Sequence, residues 1–431
     1  MVNKIGESID VTAVAALSDR TLGPEHKSLP PSAWGLTARE FLATAPHLDD
    51  FATPVLTVDR AALDSNLAVM ADWAAAAGVR LAPHGKTTMS PQLWGEQLAA
   101  GAWGITLATG WQAQVGRAFG LTRILLANAL VDPVGLRWAA ERMRRDPEFE
   151  LLSWADSVAT VREMERRLPE DARLSVLVEL GGPHGRTGAR SVDEALDVAA
   201  AVNNSARLRL AGVGGYEGAL AHDRTDAAVA AVRGYLDELA RLHRALSDRY
   251  ERPAVVTAGG SAYPDLVVER LAGLADEQGA QGVPTTVVLR SGAYLIHDDG
   301  FYSGISPLAD PSAGRPLRSA MHGWARAVSR PEPGLALLDA GKRDLPFDEG
   351  LPVPQRISGG EGVPPGAHVS ALNDQHTFLR WPEGGDVPVG SVVRLGLSHP
   401  CTAFDKWRLI PVVDDAGAAR PRVVDLLHTF F

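Results

Sequence analysis

The chain has 431 residues, of which 45% are hydrophobic and 22% are charged, and its formal net charge is -10. This length and composition are those of a soluble globular protein large enough for two domains. The acidic balance excludes nucleic acid and anionic membranes as partners, because both select basic surfaces. A single cysteine, Cys401, excludes an internal disulfide. With no secretion signal and no apolar run of membrane-spanning length, this predicts a cytoplasmic protein.

Residues 1–52 mix Ala-rich, Pro-rich and charged stretches with weak periodicity. Pro24, Pro30 and Pro31 interrupt any longer helix, because proline lacks the backbone donor that a helix interior needs. We therefore predict an N-terminal extension that packs on the body of the protein and carries one short helix near Ser32 to Ala43.

From Thr53 onward, strand-like and helix-like segments alternate. Asp59 is a suitable N-cap for the first amphipathic helix, and Gly78 is suited to end it. Eight strands alternating with helices predict a (β/α)8 barrel over residues 53–300, with a doubly wound open sheet as the alternative. The eight predicted strands are Pro54–Val58, Val79–Ala82, Gly104–Ala108, Arg123–Ala127, Glu150–Trp154, Leu174–Leu180, Leu208–Val213 and Ala254–Ala258.

After Ser261 the sequence changes to short apolar runs separated by turn residues. Residues 351–365, with four prolines, are predicted to be a loop or an insertion. Short strands with frequent turn signals predict a β domain over residues 301–431. The further strand candidates are Thr286–Leu289, Ala293–His297, Leu335–Leu338, His368–Leu372, Ser391–Leu397 and Arg408–Val413.

Lys86 is the central candidate for chemistry. Val79–Ala82 is a strand candidate that Pro83 stops, and Ser90-Pro91 then opens a helix as N-cap and first residue. The lysine therefore falls in the loop at the carboxyl end of a strand, where (β/α)8 barrels build their active sites. A lysine amine there can form a Schiff base with a carbonyl compound, although an exposed loop lysine has the same local sequence.

Other marked residues also follow predicted strands. Arg186 lies in the loop after the sixth strand, and Tyr216 lies in a glycine-rich segment after the seventh. Gly259, Gly260 and Ser261 follow the eighth strand. Because glycines let backbone N–H groups approach an anion closely and Ser261 adds a hydroxyl donor, this turn predicts a phosphate cradle.

His399 and Cys401 form a second focus. On an extended backbone, residues two apart point to the same side, so the imidazole and the thiol would converge. Both groups are suitable zinc ligands. Two ligands do not make a closed structural site, but they can anchor a catalytic metal whose other positions take water or substrate. A buried cysteine with no metal is the alternative.

The segment Pro83-His84-Gly85-Lys86-Thr87 resembles the cofactor-lysine segment of fold-type III pyridoxal-phosphate (PLP) enzymes, whose barrel is that of alanine racemase. Within them it resembles the branch that contains D-serine dehydratase, D-threonine aldolase and the bacterial amino acid deaminases. The resemblance extends from about residue 53 to the C-terminus. It implies that Lys86 binds PLP.

The resemblance also implies roles for the remaining candidates. Tyr216 would approach the pyridine nitrogen of PLP, and Arg186 would pack near the ring or bind a carboxylate. The other implied positions are Ser291, Gly292 and Tyr294 bordering the phosphate, His84 beside the cofactor, and His376 facing the site. D-serine dehydratase-like enzymes carry a zinc-binding His-x-Cys pair in the β domain, which here corresponds to His399 and Cys401, whereas D-threonine aldolases have His-x-Asp.

The resemblance implies a PLP- and zinc-dependent dehydratase. It would convert a D-β-hydroxy amino acid, such as D-serine, D-threonine or 3-hydroxyaspartate, to a 2-oxo acid and ammonia. An aldolase, a racemase and a non-catalytic PLP-binding protein are the alternatives. Enzymes of this kind are homodimers in which the partner's β domain closes each site, so His399 and Cys401 of one chain would serve Lys86 of the other.

Overall fold

The computed structural model describes residues 8–183, 185–277, 282–358, 362–382 and 384–431. His184 of the loop before Arg186 and residues 359–361 of the predicted 351–365 insertion lie outside these ranges. Within them, no helix combines the length and the apolar character that a membrane crossing needs.

The described residues form strands β1 (Val55–Asp59), β2 (Arg80–Leu81), β3 (Ile105–Leu107), β4 (Arg123–Leu126), β5 (Glu150–Ala155), β6 (Leu174–Leu180), β7 (Leu208–Gly215), β8 (Ala254–Ala258), β9 (Thr285–Leu289), β10 (Met321–Glu332), β11 (Leu335–Leu338), β12 (Val353–Ile357), β13 (His368–Leu372), β14 (Thr377–Arg380), β15 (Val392–Gly396), β16 (Leu409–Val413) and β17 (Val423–His428). The α-helices are α1 (Val11–Ala15), α2 (Ala38–Ala43), α3 (Arg60–Ala76), α4 (Pro91–Ala99), α5 (Gly110–Ala118), α6 (Pro133–Arg145), α7 (Val158–Arg167), α8 (Val192–Asn203), α9 (Asp226–Ala245), α10 (Pro264–Leu271), α11 (Phe301–Ile305) and α12 (Pro400–Phe404).

Eight parallel strands, β2 to β9, form the barrel. Their order is β2-β9-β8-β7-β6-β5-β4-β3. The last seam is closed by the Trp103 N–H, which donates to the Leu81 carbonyl at 2.6 Å, and by a parallel bridge between His84 and Thr106. The predicted (β/α)8 fold class is confirmed, and the open doubly wound sheet is excluded.

The barrel strands are not the eight that the sequence predicted. The predicted first strand, β1, pairs with β10 and β16 in the second sheet. The eighth barrel strand is β9, which covers the predicted strand Thr286–Leu289. Every later strand number therefore shifts: Lys86 follows the first barrel strand, and the Gly259-Gly260-Ser261 turn follows the seventh. The predicted strand Ala293–His297 is wrong, because Ala293–Leu295 is a 3-10 helix.

A separate buried cluster takes alternate residues from the barrel strands and fills the interior. Its members are Ala82, Leu125, Leu152, Trp154, Leu177, Val255 and Val288.

The second sheet contains nine strands, β1 and β10 to β17. The N-terminal extension packs on it as well. Phe41 and Phe51 of the extension share a buried cluster with Trp324 and Leu409 of the sheet. The Leu48 N–H donates to the Pro421 carbonyl at 2.9 Å. Part of the predicted short helix exists as α2, which begins with a capping box at Thr37 and Glu40.

Gly212 of β7 cannot accept a side chain without strain and a backbone clash. Its φ is +141°, and a Cβ atom would lie 1.9 Å from the Val255 carbonyl oxygen of the neighbouring strand. We expect Gly212→Ala to destabilise the protein by about 3 kcal/mol or more, because strain and a backbone clash add. Denaturant unfolding measures this change.

The control is Gly234→Ala. Gly234 lies in the interior of α9, and a Cβ atom there would meet no described atom within 4 Å. That change should stabilise the protein by about 0.5–1 kcal/mol. Equal stability of the two variants would contradict the prediction.

Candidate functional site

Lys86 lies in a 3-10 turn, Gly85–Thr87, directly after the first barrel strand. Trp94 of α4 holds the turn in place by donating from its indole N–H to the Gly85 carbonyl at 3.1 Å. Ser90 and Pro91 open α4 as predicted, although the Ser90 side chain makes no capping bond. In the described part of the chain, the half-buried Lys86 amine has neither a hydrogen-bond nor an ion-pair partner. It is therefore free to react or to move a proton.

His84 lies beside Lys86 and against the turn after β9. A Cβ atom on Gly292 would lie 2.7 Å from both the Cβ and the carbonyl oxygen of His84, so only glycine fits there. Burial, together with the positive charges of Lys86, Arg290 and Arg186, lowers the pKa of His84 well below its ordinary value. The imidazole is neutral, and its buried Nδ1 atom has no hydrogen-bond partner among the described residues.

Tyr216 and Arg186 meet at the mouth of the barrel. The Arg186 guanidinium lies 4.7 Å from the centre of the Tyr216 ring and is exposed. Burial and the Glu217 carboxylate raise the pKa of Tyr216, so its phenol is neutral. The ring lies over the glycine turn after β8, since a Cβ atom on Gly260 would lie 2.9 Å from it.

The N–H groups of Gly259 and Gly260 do not point at an open anion site. Both donate to the carboxylate of Glu217, at 2.8 Å and 2.7 Å. The predicted phosphate cradle is therefore wrong for these two groups. Glu217 was missed by the sequence analysis, and its only signal was a carboxylate within the segment Gly214–Gly218.

The hydroxyl groups of Ser261 and Ser291 join the two turns that follow β8 and β9. The Ser291 hydroxyl donates to the Gly260 carbonyl at 2.7 Å, and the Ser261 oxygen accepts from the Ala293 N–H at 3.2 Å. Both serines line a small cavity with Tyr294, His297 and Tyr302. The two segments predicted to border a phosphate therefore lie together.

Tyr294 contacts α4 through its hydroxyl group. Its buried hydroxyl accepts a hydrogen bond from Gln97 at 3.1 Å. Tyr294 lies on a 3-10 helix and not on the predicted strand. Its hydrogen bond with Gln97 holds the ring in the core.

Arg290 is a second residue that the sequence analysis missed. It is 2% exposed, and its guanidinium lies 5.1 Å from the centre of the Trp154 ring. It donates to the Thr257 hydroxyl at 2.7 Å and to the Gly215 carbonyl at 2.5 Å. These bonds fix the end of β7, from which Tyr216 projects.

His399 and Cys401 lie beside the Lys86 turn of their own chain. The Cys401 sulfur is 3.4 Å from the Thr87 hydroxyl oxygen. The pair thus lies beside the lysine of its own chain, and the arrangement in which it serves the partner's lysine stays a prediction. The predicted extended backbone is wrong: His399 is left-handed, with φ +57°, and is the N-cap of α12. The two side chains meet because the helix turns back at Pro400.

Asp348 completes this cluster. Its carboxylate oxygen Oδ2 lies 2.5 Å from His399 Nδ1, and its Oδ1 accepts from the Thr402 hydroxyl at 2.6 Å. Burial alone would lower the pKa of His399, but bonds to Cys401 and Asp348 outweigh it and raise the pKa to about 9. Burial would raise the pKa of the Cys401 thiol, but the bond and charge of His399 outweigh it and lower the pKa.

His399 and Cys401 supply two ligands, which fits an open metal site and not a closed structural one. No group of three or more His, Cys, Asp and Glu residues suited to a metal occurs among the described residues. A metal here would take imidazole and thiolate from His399 and Cys401 and keep positions for water or substrate. Asp348 acts as the carboxylate that orients the imidazole through its other nitrogen.

His376 lies on the surface of the second sheet, and its role in the site stays a prediction. It is exposed in the hairpin between β13 and β14, and its carbonyl accepts from the Asn373 N–H at 2.8 Å. Among the described residues, no hydrogen bond, ion pair or ring contact joins its side chain to Lys86 or to the metal pair.

The residues around Lys86 also fit PLP. An unpaired amine, a neutral phenol and serine hydroxyls converge at one mouth of the barrel. The orphaned Nδ1 of His84 and Nε of Arg290 leave buried polar capacity there.

Comparison with known proteins agrees with this geometry. Residues 320–413 match the family described as "Putative serine dehydratase domain". D-threonine aldolase of Arthrobacter sp is 27% identical over 369 residues, which cover 84% of this chain and 89% of that protein. D-threo-3-hydroxyaspartate dehydratase of Delftia sp. (strain HT23) is 26% identical over 363 residues, covering 81% and 90%.

The solved structures give the same result. D-threonine aldolase from Filomicrobium marinum superposes with a TM-score of 0.72 at 27% identity, over 89% of this chain and 96% of that one. An alanine racemase-like protein from Idiomarina loihiensis has a TM-score of 0.70 at 18% identity, over 88% and 96%, and shares the fold. The chain is therefore similar over more than four fifths of its length to D-threonine aldolase and D-threo-3-hydroxyaspartate dehydratase, and its structural neighbours are fold-type III PLP enzymes.

Proposed function

We propose that the protein is a PLP- and zinc-dependent dehydratase that releases ammonia and a 2-oxo acid from a D-β-hydroxy amino acid. The observation that carries this proposal is the position of Cys401, 3.4 Å from the residue that follows Lys86. A dehydration breaks bonds at two adjacent carbons, Cα–H and Cβ–O. A base and a metal site placed side by side suit that reaction.

Lys86 is the base in this proposal. PLP, held at Lys86 until the substrate amine displaces the lysine, would supply an electron sink that makes the Cα proton acidic. The freed Lys86 Nζ atom takes that proton, because no hydrogen bond or ion pair within the described residues occupies the amine. The neutral Tyr216 phenol cannot keep a pyridine nitrogen protonated as a carboxylate would. More of the developing charge must therefore be stabilised elsewhere in the site.

His399 and Cys401 would hold the metal, with Asp348 fixing the imidazole. A zinc ion, when bound, supplies a Lewis acid for the departing β-hydroxyl. Imidazole and thiolate favour zinc over magnesium or manganese, which prefer oxygen ligands. Solved forms of the Delftia dehydratase include variants with a histidine and, two positions later, a cysteine replaced by alanine, the latter described as metal-free. That spacing is the spacing of His399 and Cys401.

Arg186 is the group that would recognise the substrate. Its exposed guanidinium has no carboxylate partner within the described ranges. It can therefore bind a substrate carboxylate in bidentate fashion at the barrel mouth. A small amino acid is the substrate class that this site suits. The homodimer that the resemblance implies, and the cytoplasmic location inferred from the composition, stay part of the proposal.

The test is the product formed from a panel of D- and L-serine, threonine and 3-hydroxyaspartate by protein supplied with PLP and zinc. We expect ammonia and a 2-oxo acid from D-substrates only. Glycine and an aldehyde would instead show an aldolase, the reaction of the Arthrobacter relative. Interconversion of D- and L-forms would show a racemase. Bound PLP with no product from any substrate would favour a binding protein.

A further inference from the structure

Asp298 is a buried carboxylate that none of the roles above uses. It is 1% exposed and lies just before α11. Its Oδ1 atom accepts from three N–H groups at the start of that helix: Gly300 at 3.1 Å, Tyr302 at 2.9 Å and Ser303 at 3.2 Å. Its Oδ2 atom accepts from the N–H of His399 at 3.1 Å. One carboxylate therefore joins two segments that are about a hundred residues apart in the sequence.

The two segments touch at further points. The Asp299 N–H donates to the Leu397 carbonyl at 2.8 Å. A Cβ atom on Gly300 would lie 2.4 Å from the Cβ of Ser398, so the backbones approach as closely as glycine allows. The two segments thus meet backbone to backbone, and the Asp298 carboxylate accepts from N–H groups of both.

The bond to His399 matters because of the backbone conformation there. His399 has φ +57°, a left-handed conformation that is strained for a residue with a side chain. A charge-assisted hydrogen bond to its N–H offsets that strain. The ring of His399 is held separately by Asp348. Asp298 therefore acts on the backbone of the residue, and Asp348 acts on its ring.

The same carboxylate also holds Tyr302. This tyrosine lines the cavity that contains Ser261 and Ser291. A change at Asp298 would consequently move the metal pair and the wall of that cavity relative to one another.

We infer that Asp298 is a positioning residue for the metal pair, which it fixes by holding the left-handed backbone of His399 against the start of α11. This inference rests on the proposed function, because it takes His399 and Cys401 to be metal ligands. Asp298 touches neither metal nor substrate.

The decisive variant is Asp298→Asn. Its amide keeps one acceptor oxygen for the N–H groups of α11, but the other atom becomes an NH2 group that cannot accept from His399. We expect the affinity for zinc, measured by competition with a chromogenic chelator, to fall about 10- to 100-fold, the range for loss of an outer-shell partner. PLP incorporation should remain that of the wild type.

Asp132→Asn is the matched control. Asp132 is likewise a capping carboxylate, accepting from the N–H groups of Val134 and Gly135 at the start of α6. It is the N-cap of α6 and has no contact with His399, Cys401 or Asp348 among the described residues, so zinc affinity should not change. A zinc affinity of Asp298→Asn equal to that of the wild type would overturn the inference.

Cys401 gives a second readout, since it is the only cysteine of the chain. At equal free zinc, iodoacetamide should alkylate Cys401 faster in Asp298→Asn than in the wild type. If that variant does not fold, amide exchange at His399 in the metal-free wild type replaces it. Slow exchange supports the bond to Asp298, and exchange at the rate of an exposed amide overturns it. Wild-type protein that binds no zinc would instead refute the proposed function, a result that the exchange measurement distinguishes.

Discussion

Lys86→Ala is expected to lower the rate of product formation by about 10³-fold or more. The variant loses the amine that binds the cofactor and also the base that takes the Cα proton, and general-base catalysis alone contributes about 10²–10⁴-fold. Borohydride reduction followed by mass spectrometry tests the covalent role. We expect one pyridoxyl group per wild-type chain and none on the variant.

Lys342→Ala is the control for this experiment. Lys342 is exposed, and its amine lies 5.4 Å from the centre of the Phe347 ring, so its loss removes a charge without touching the barrel turn. It should keep full activity and full pyridoxyl labelling. Labelling of Lys86→Ala at another lysine would show that the cofactor is bound elsewhere and would refute the assignment of Lys86.

Cys401→Ala and His399→Ala are expected to lose the metal and to lower dehydration by about 10²–10³-fold, while PLP labelling at Lys86 is retained. The physical reason is that each variant leaves one protein ligand, which cannot hold zinc against water. Metal content after dialysis and the rate of 2-oxo acid release measure the two effects. Treating the wild type with a chelator should reproduce the loss, and zinc should restore it.

His368→Ala is the matched histidine control. His368 is exposed on β13, and its Nδ1 atom lies 3.1 Å from the Gly366 carbonyl. Its loss should affect neither metal content nor rate. Full activity of a metal-free Cys401→Ala protein would mean that the reaction does not need a metal at this pair.

The sequence predicted the barrel well because periodicity and turn residues are local properties. It misplaced β1 because all five residues of that strand are buried, which is also the pattern of a parallel barrel strand. The sequence pattern predicted a strand at Ala293–His297, where the structure has a 3-10 helix, because a short apolar run is compatible with either.

The candidate site shows the same division. Lys86 and the His399–Cys401 pair could be found from the sequence because their signals are local: the residues that flank Lys86, and the two-residue spacing of His399 and Cys401. Glu217 and Arg290 could not, because their burial depends on strands that meet only in the folded barrel. Asp348 and Asp298 lie far from His399 in the sequence, and no local pattern connects a carboxylate to a histidine fifty or a hundred residues away.

The position of β1 between β10 and β16 means that the second domain is assembled from both ends of the chain. During synthesis the extension and β1 emerge first, but they have no sheet to join until the last strands leave the ribosome. The barrel cannot complete its core before that moment, because its main buried cluster includes Val58, Met321 and Leu427 of the second sheet. The lysine half and the metal half of the site therefore depend on one shared core, and loss of strands from the second sheet should weaken both.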